Sequence, residues 1–180
     1  MPLPYEQVRE RASHIRLILL DVDGVLTDGT VMIGSEGGEA KPFFIRDGLA
    51  LVWARRNGLE VGLLSGRPSG ATTRRARELG IPIVSQGSND KREAFRNILE
   101  THGFEAGNVA YMGDDLVDLP ILARAGLSTA PADAVDDVRS RVHWISSRPG
   151  GRGAVRELVE LILDAQDRWA AIVAAHEAEA

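Results

Sequence analysis

The sequence predicts an α/β fold: a Rossmann-like three-layer sandwich with a mainly parallel sheet and a β-hairpin insertion after the first strand. Three observations lead to this expectation. Short apolar runs alternate with stretches of helical length, most of those stretches end at a glycine, and the connections between them are short. Strand–helix alternation with short connections is typical of a parallel sheet that is covered by helices on both faces.

The first strand is predicted at Leu17–Leu20, after a short helix over residues 5–13. Its continuous apolar run is typical of a strand covered on both faces. Residues 28–46 contain Gly-rich turns between two β-prone segments, which predicts the β-hairpin. We then expect Asp47 to cap a helix that ends at Gly58.

The later elements repeat one pattern, a strand followed by a helix. Strands are predicted at residues 59–64, 81–84 and 109–112, with weaker strands at 127–129 and 142–145. Helices are predicted at residues 69–79, 90–102, 115–125 and 154–175. The Ala/Glu-rich end, residues 174–180, is expected to fray because chain ends without apolar anchors are poorly ordered.

Composition narrows the class of protein. Hydrophobic residues are 44% and charged residues 26% of 180, which fits a single domain over residues 1–180 with a C-terminal tail from about residue 167. The net charge of -5 argues against nucleic acid as a partner, and the absence of cysteine excludes disulfides and thiol catalysis. With no signal peptide and no apolar run near the roughly 20 residues of a membrane span, we expect a cytoplasmic protein without membrane contact.

Polar clusters follow four of the predicted strands. They are residues 21–24 (Asp-Val-Asp-Gly), residues 65–67 (Ser-Gly-Arg), residues 85–91 (which end in Lys91) and residues 113–115 (Gly-Asp-Asp). Ligands of open α/β sheets bind beyond the carboxyl ends of the strands. We therefore expect these clusters to converge on one rim of the sheet.

This set of residue types suits phosphoryl transfer. A carboxylate such as Asp21 can attack phosphorus, and Asp23 can protonate the leaving oxygen and then activate water. Ser65 and the Gly66 N–H can hold phosphate oxygens, while Lys91 offers positive charge to the transition state. Acidic oxygens also suit Mg2+, which relieves repulsion between the nucleophile and the phosphate.

Each cluster taken alone has a simpler interpretation. Asp-x-Asp-Gly is more often a turn or a cap, Ser-Gly-Arg a loop, a single Lys a solvated helix residue, and Gly-Asp-Asp a helix cap. The function is indicated by the conjunction, because all four clusters fall at predicted strand ends. The four histidines show no metal-ligand spacing and are expected to be structural or exposed.

The clusters resemble the motifs of the haloacid dehalogenase superfamily of phosphatases. Residues 21–27 are similar to its first motif, residues 65–67 to its second, Lys91 to its third, and residues 113–115 with Asp118 to its fourth. Further segments resemble the 3-deoxy-D-manno-octulosonate 8-phosphate phosphatases within that superfamily. These are residues 28–29, 44–48, 86–91 and 150–157.

The resemblance implies a Mg2+-dependent phosphatase that forms an aspartyl phosphate. It implies that Asp21 is the nucleophile and a metal ligand, and that Asp23 is the acid/base and binds Mg2+ through its backbone carbonyl. Asp114 is implied to be the third ligand, with Asp115 and Asp118 orienting the ligands from beside them. The implied substrate is a phosphorylated 3-deoxy sugar acid from lipopolysaccharide precursor synthesis.

The resemblance also implies an assembly. In small members without a large cap domain, four subunits associate with the hairpin at the centre, and a neighbouring subunit helps to close the site. A sugar acid carries a carboxylate, which arginine binds in a bidentate manner. Arg46, Arg67 and Arg152 are therefore candidate substrate contacts, against the simpler interpretations of surface ion pairs and a flexible connector.

Three alternatives to this substrate and function are considered. A nine-carbon sialic-type acid 9-phosphate would use the same chemistry. A receiver domain also combines an acid pair, a hydroxyl and a lysine, but its phosphoacceptor lies apart from the first acid pair, whereas Asp23 offers an acid/base for turnover. A catalytically silent scaffold would lack an essential acid or lysine, and none is missing.

Overall fold

The structure, a computed structural model, describes residues 2–88 and 90–178. Six parallel strands form its central sheet: β1 (Leu17–Leu20), β4 (Glu60–Ser65), β5 (Ile83–Gln86), β6 (Val109–Met112), β7 (Leu127–Ala130) and β8 (Trp144–Ile145). Their order is β5-β4-β1-β6-β7-β8. Strands β2 (Met32–Ile33) and β3 (Glu39–Ala40) pair antiparallel as a separate hairpin after β1. The predicted fold class is therefore confirmed.

Helices cover both faces of the sheet. They are α1 (Tyr5–Ser13), α2 (Ile45–Arg56), α3 (Gly70–Glu78), α4 (Lys91–His102), α5 (Leu119–Leu122), α6 (Asp136–Arg139), α7 (Ala154–Ala165) and α8 (Trp169–Ala178), with 3-10 turns at Ala106–Asn108 and Leu116–Asp118. None of the helices in the described ranges has the length and apolar content that a bilayer span requires.

Strand β1 lies at the centre of the sheet, and its side chains alternate between two apolar cores. Ile18 and Leu20 join the core formed with α1, α2 and α7, whereas Leu17 and Leu19 join the core formed with α4 and α5. All four side chains are fully buried. Each contributes about 1.5–3 kcal/mol on burial, so the continuous apolar run is what places β1 between two helical layers.

The prediction that Asp47 caps its own helix is wrong. Helix α2 begins two residues earlier, at Ile45, which also ends the hairpin insertion before residue 46. The buried Asp47 carboxylate instead accepts the backbone N–H groups of Gly153 (3.2 Å) and Arg156 (2.8 Å), at the start of α7. Because the first N–H groups of a helix have no partner within it, a carboxylate from a neighbouring helix satisfies them equally well.

The predicted helix over residues 154–175 is interrupted. Helix α7 ends at Ala165, Asp167 adopts a left-handed backbone conformation with φ of 55°, and α8 then runs back along the α2 and α7 face. The Trp169 ring packs edge-on against Trp53 at 5.6 Å, and the Arg156 guanidinium lies 4.3 Å from the Trp53 ring centre.

These contacts anchor the C-terminal tail, so the expected fraying from residue 174 does not extend over the described part of α8, which is helical to Ala178. Aromatic and cation–π pairs contribute about 0.5–1.5 kcal/mol each beyond apolar burial. Residues 179 and 180 of that prediction lie outside the described residues.

Candidate active site

The candidate site lies at the carboxyl ends of four adjacent strands, β5, β4, β1 and β6. In the sheet register, Leu20 of β1 lies beside Leu63 of β4 on one side and Met112 of β6 on the other. The residue directly after β1 is Asp21, whose N–H donates to the Met112 carbonyl at 3.0 Å. Because parallel strands end at the same edge, the side chains that follow them share one rim.

A cavity of about 310 Å³ opens at this rim. Its lining comes from all four sequence clusters and from the hairpin start: Asp21, Asp23, Gly29, Ser65, Gly66, Arg67, Lys91, Asp114, Asp115 and Val117. The structure therefore brings together the polar residues that were selected from the sequence because they follow predicted strands. Asp118 is fully buried below the cavity.

Lys91 bridges two acids at the floor of the cavity. Its Nζ lies 2.9 Å from Asp21 Oδ1 and 2.7 Å from Asp118 Oδ1. Burial alone would lower the pKa of Lys91, but the charges of Asp21 and Asp118 outweigh it and raise that pKa. Burial and the Asp118 charge raise the pKa of Asp21 to about 6, although Lys91 opposes the shift.

Asp118 is held by four hydrogen-bond donors. Its Oδ1 accepts from Lys91 Nζ (2.7 Å) and from the buried Tyr111 hydroxyl (2.6 Å). Its Oδ2 accepts the backbone N–H groups of Asp114 (3.0 Å) and Asp115 (3.2 Å). Burial, then the Asp118 charge, raises the pKa of Tyr111 well above its usual value, so its hydroxyl stays a donor. Both Asp118 oxygens therefore accept two hydrogen bonds each, and this carboxylate holds the Lys91 and Tyr111 side chains and the backbone of residues 114 and 115 in place.

Gly24 allows the Asp114 carboxylate to approach the loop after β1. Gly24 has φ of 84°, and a Cβ at this position would lie 2.1 Å from Asp114 Oδ2. Burial, followed by the charges of Asp21 and Asp118, raises the pKa of Asp114 to about 7. Two acids with raised pKa values in one pocket indicate a shortage of positive charge there.

The donor set fits a hard divalent cation. Carboxylate oxygens of Asp21, Asp114 and Asp118 lie within 4.8 Å of one another. Since four donors already hold Asp118, the available side-chain ligands are Asp21 and Asp114. Across the described ranges, no hydrogen-bond donor reaches the Asp23 backbone carbonyl, which leaves it available as a third oxygen ligand.

Ser65 ends β4 and forms a tight turn with Arg67. Its Oγ accepts the Arg67 N–H at 3.3 Å and donates to the Arg67 carbonyl at 3.1 Å. The Arg67 guanidinium donates to Glu39 Oε2 at 2.7 and 3.2 Å. The loop after β4 is thus tied to strand β3 of the hairpin.

Sequence reasoning missed three residues at the site. Lys41 Nζ contacts both Asp23 carboxylate oxygens, at 2.7 and 2.8 Å, while Glu39 holds Arg67 and Tyr111 holds Asp118. A signal existed for the first two, since Glu39 and Lys41 are two positions apart and point to the same side of an extended segment. The Tyr111 contact had no signal beyond a tyrosine in an apolar strand.

Arg46 and Arg152 lie outside the acidic cavity. Both line a separate pocket of about 280 Å³, together with Phe44, Arg148, Gly153, Arg156, Glu157 and Glu160. Arg152 is exposed and 3.5 Å from Asp28, and Arg46 has no ion pair within the described ranges. The single chain does not bring these two arginines to Asp21, so their contact with substrate stays a prediction.

Comparisons with known proteins agree with this geometry. Residues 36–126 match the family model of the haloacid dehalogenase-like hydrolases. The 3-deoxy-D-manno-octulosonate 8-phosphate phosphatase of Yersinia pestis is 42% identical over 163 residues, which are 91% of this chain and 87% of that protein. The phosphatase of the same name from Escherichia coli K12 is 42% identical over 158 residues, covering 88% of this chain and 84% of that one.

A solved structure of the Moraxella catarrhalis phosphatase of this name, in complex with magnesium ion, phosphate ion and a KDO molecule, is 38% identical. It superimposes with a TM-score of 0.93 and covers 95% of this chain and 98% of that one. The chain is thus a phosphoric monoester hydrolase of the haloacid dehalogenase-like family, in the branch that includes the 3-deoxy-D-manno-octulosonate 8-phosphate phosphatases.

Proposed function

We propose that this chain hydrolyses 3-deoxy-D-manno-octulosonate 8-phosphate, a step in lipopolysaccharide precursor synthesis, through an aspartyl phosphate on Asp21. The observation that carries the mechanism is the position of Asp21. It is buried at the centre of the sheet edge, and Lys91 holds one of its carboxylate oxygens at 2.9 Å. A carboxylate fixed in this way is oriented for attack on phosphorus.

Each remaining step of the reaction, from proton transfer to the binding of the phosphoryl oxygens, is assigned to a residue near Asp21. Asp21 attacks phosphorus, the bond from phosphorus to the ester oxygen breaks, and Asp23 gives a proton to the leaving alkoxide. Water then attacks the phosphorus of the aspartyl phosphate, loses its proton to Asp23, and releases phosphate and free Asp21. Lys91, Ser65 and the Gly66 N–H hold the phosphoryl oxygens as negative charge develops.

Mg2+ fits the oxygen ligands, with Asp21 and Asp114 offering carboxylates and Asp23 its backbone carbonyl. When bound, the ion supplies positive charge that neutralises the phosphate and the crowded acids. Asp118 and Asp115 are proposed to orient these ligands, Asp118 through the Asp114 N–H and Lys91. The magnesium in the Moraxella catarrhalis structure supports this choice of metal.

Cationic side chains are needed to bind the carboxylate of the sugar acid. We assign this role to Arg67 of the same chain and to Arg46 and Arg152 of a neighbouring chain.

This assignment depends on a homotetramer. Large apolar side chains on the hairpin and early α2 are exposed, with Met32, Ile33 and Ile45 at 61%, 74% and 72%. Exposed apolar patches of this kind favour self-association. Sedimentation velocity is expected to give four chains per particle; an active monomer would contradict the assignment.

The mechanism is tested with Asp21→Asn. This variant is expected to release no phosphate while its circular dichroism and unfolding midpoint stay close to wild type, because Asn keeps the shape but not the nucleophilic charge. Asp136→Asn is the matched control, since the Asp136 side chain is 98% exposed and pairs with Arg139 on the surface. Turnover in Asp21→Asn near the wild-type rate would refute the nucleophile assignment.

The substrate is tested by a kinetic screen of phosphorylated sugar acids. The eight-carbon 8-phosphate is expected to have the highest kcat/KM, and the nine-carbon sialic-type 9-phosphate a lower one. A reversed order would assign the chain to the nine-carbon substrate while leaving the chemistry intact.

A further inference from the structure

We propose that Lys41 is a positioning residue for proton transfer, which holds the Asp23 carboxylate in one orientation over the site. The inference rests on the proposed function, because it assigns Asp23 the role of acid/base. The Lys41 Nζ lies 2.7 Å from Asp23 Oδ1 and 2.8 Å from Oδ2. Its hydrogen bond goes to Oδ2, and the contact with Oδ1 is electrostatic.

The burial of the two partners is unequal. The Lys41 side chain is 0% exposed, whereas 27% of the Asp23 side chain faces the cavity. An ammonium group that is withdrawn from water is costly unless a carboxylate accompanies it. The Lys41 ammonium group therefore stays next to Asp23 and does not turn towards solvent. As a result, the Asp23 carboxylate, which lines the cavity, is held in place from its buried side.

A second acid extends this contact to the phosphate-binding loop. Glu39 Oε1 lies 4.0 Å from Lys41 Nζ and accepts from the Ser69 hydroxyl at 2.5 Å. Glu39 Oε2 accepts from the Arg67 guanidinium at 2.7 Å. The segment of β3 and Lys41 thus links the loop after β1, which carries Asp23, to the loop after β4, which carries Arg67.

This arrangement predicts which step depends on Lys41. An alkoxide leaving group needs a proton from Asp23 as its bond to phosphorus breaks, whereas p-nitrophenolate leaves without one. If Lys41 sets the direction of the Asp23 carboxylate, its removal slows the first reaction more than the second. A purely structural lysine would slow both reactions equally.

The test compares kcat/KM of Lys41→Met on the sugar-acid phosphate and on p-nitrophenyl phosphate. This ratio covers the steps up to departure of the leaving group, so hydrolysis of the phosphoenzyme does not affect it. We expect a loss of about 10- to 100-fold on the sugar phosphate, below the 10²–10⁴-fold that general acid–base catalysis typically contributes, and a loss of less than about threefold on the nitrophenyl ester.

Asp23→Asn supplies the second arm of the test. In this background, Lys41→Met is expected to cause no further loss on the sugar phosphate, because the lysine acts through the carboxylate that is already absent. Equal losses on both substrates, or an additive loss in the Asp23→Asn background, would overturn the proposal.

Folding is followed by thermal unfolding of the Mg2+-loaded protein. If Lys41→Met does not fold, Lys41→Gln replaces it, because its amide still donates to Asp23; the same split between substrates is expected at smaller size, and equal losses refute the proposal. Failure of the proposed function is distinguishable, because the wild-type protein itself would then fail to hydrolyse 3-deoxy-D-manno-octulosonate 8-phosphate.

Discussion

Replacement of Asp118 by Asn is the sharpest test of how the site is organised. The side chain keeps its size, but one of its oxygens becomes an NH2 group. In either orientation this NH2 faces two donors, either Lys91 and Tyr111 or the N–H groups of Asp114 and Asp115. Two hydrogen bonds are therefore lost in a fully buried place, whichever way the amide turns.

The magnitude follows from burial and from the remaining contacts. A buried donor that loses its acceptor costs about 1–3 kcal/mol, so two such donors would cost up to about 6 kcal/mol. Lys91 keeps Asp21 at 2.9 Å, and removal of one negative charge relieves Asp21 and Asp114, whose pKa values the Asp118 charge raises. We therefore expect Asp118→Asn to lower the free energy of unfolding by about 2–4 kcal/mol, or roughly 5–15 °C in Tm.

The assay is urea unfolding in EDTA at neutral pH, with wild type and Asp115→Asn measured in parallel. Asp115 is exposed and accepts the Leu116 N–H as a helix cap, a role that Asn fills equally well. Asp115→Asn is expected within about 0.5 kcal/mol of wild type. A loss in Asp118→Asn no larger than that of Asp115→Asn would refute the organising role of Asp118. The Mg2+ affinity or activity of Asp118→Asn is expected to fall about 10- to 100-fold.

Further predictions concern metal binding, a close backbone approach and the C-terminal helix. The pKa values of Asp21 (about 6) and Asp114 (about 7) exceed their ordinary values, so the folded metal-free protein binds protons more tightly than the unfolded chain. This contribution to stability is largest below about pH 4, falls as pH rises from there and is gone above about pH 7, while Mg2+ affinity rises over the same range. Urea unfolding in EDTA and calorimetric Mg2+ titrations at pH 5 and 8 check this, and Mg2+ affinity that does not change with pH would contradict it. Removal of metal with EDTA is expected to stop phosphate release and Mg2+ to restore it; activity that persists without metal would argue against the ion. Gly24→Ala is expected to weaken Mg2+ binding at least about tenfold, because its Cβ would displace the Asp114 carboxylate; unchanged affinity would show that the loop accommodates a side chain. Trp169→Ala is expected to cost about 1–2 kcal/mol of stability through its lost packing on Trp53, because its ring is only half-buried, while leaving kcat unchanged; a loss under about 0.5 kcal/mol would place α8 outside the cooperative fold.

Several features of the site were predictable because they are local in the chain. An apolar strand followed at once by Asp21 places that side chain at a sheet edge, whatever the rest of the fold contributes. The same holds for Ser65 at the end of β4 and for Lys91 at the start of α4. Once strand–helix alternation indicates a parallel sheet, all of these positions belong to one rim.

The contacts that orient those residues were not predictable in this way. Lys41 meets Asp23 across 18 positions of the sequence, and Asp47 meets Arg156 across 109. For Asp47 a reasonable local interpretation existed, a cap on its own helix, and for Lys41 the only local signal was its spacing of two positions from Glu39. The observed contacts are long-range because a buried charged group needs a polar partner, and that partner is whichever group the fold places next to it.

The sequence by itself determined the fold class. It also determined which acids, hydroxyl and amine follow the strands and so meet at the rim that carries Asp21. These follow from apolar periodicity and from the identity of the residue after each strand. Tertiary structure alone decided that four donors hold Asp118, that Lys41 pins Asp23, and that α8 folds back onto Trp53. These contacts join segments that are far apart in the sequence. The apolar periodicity of the sequence carries no information about the distances between such segments.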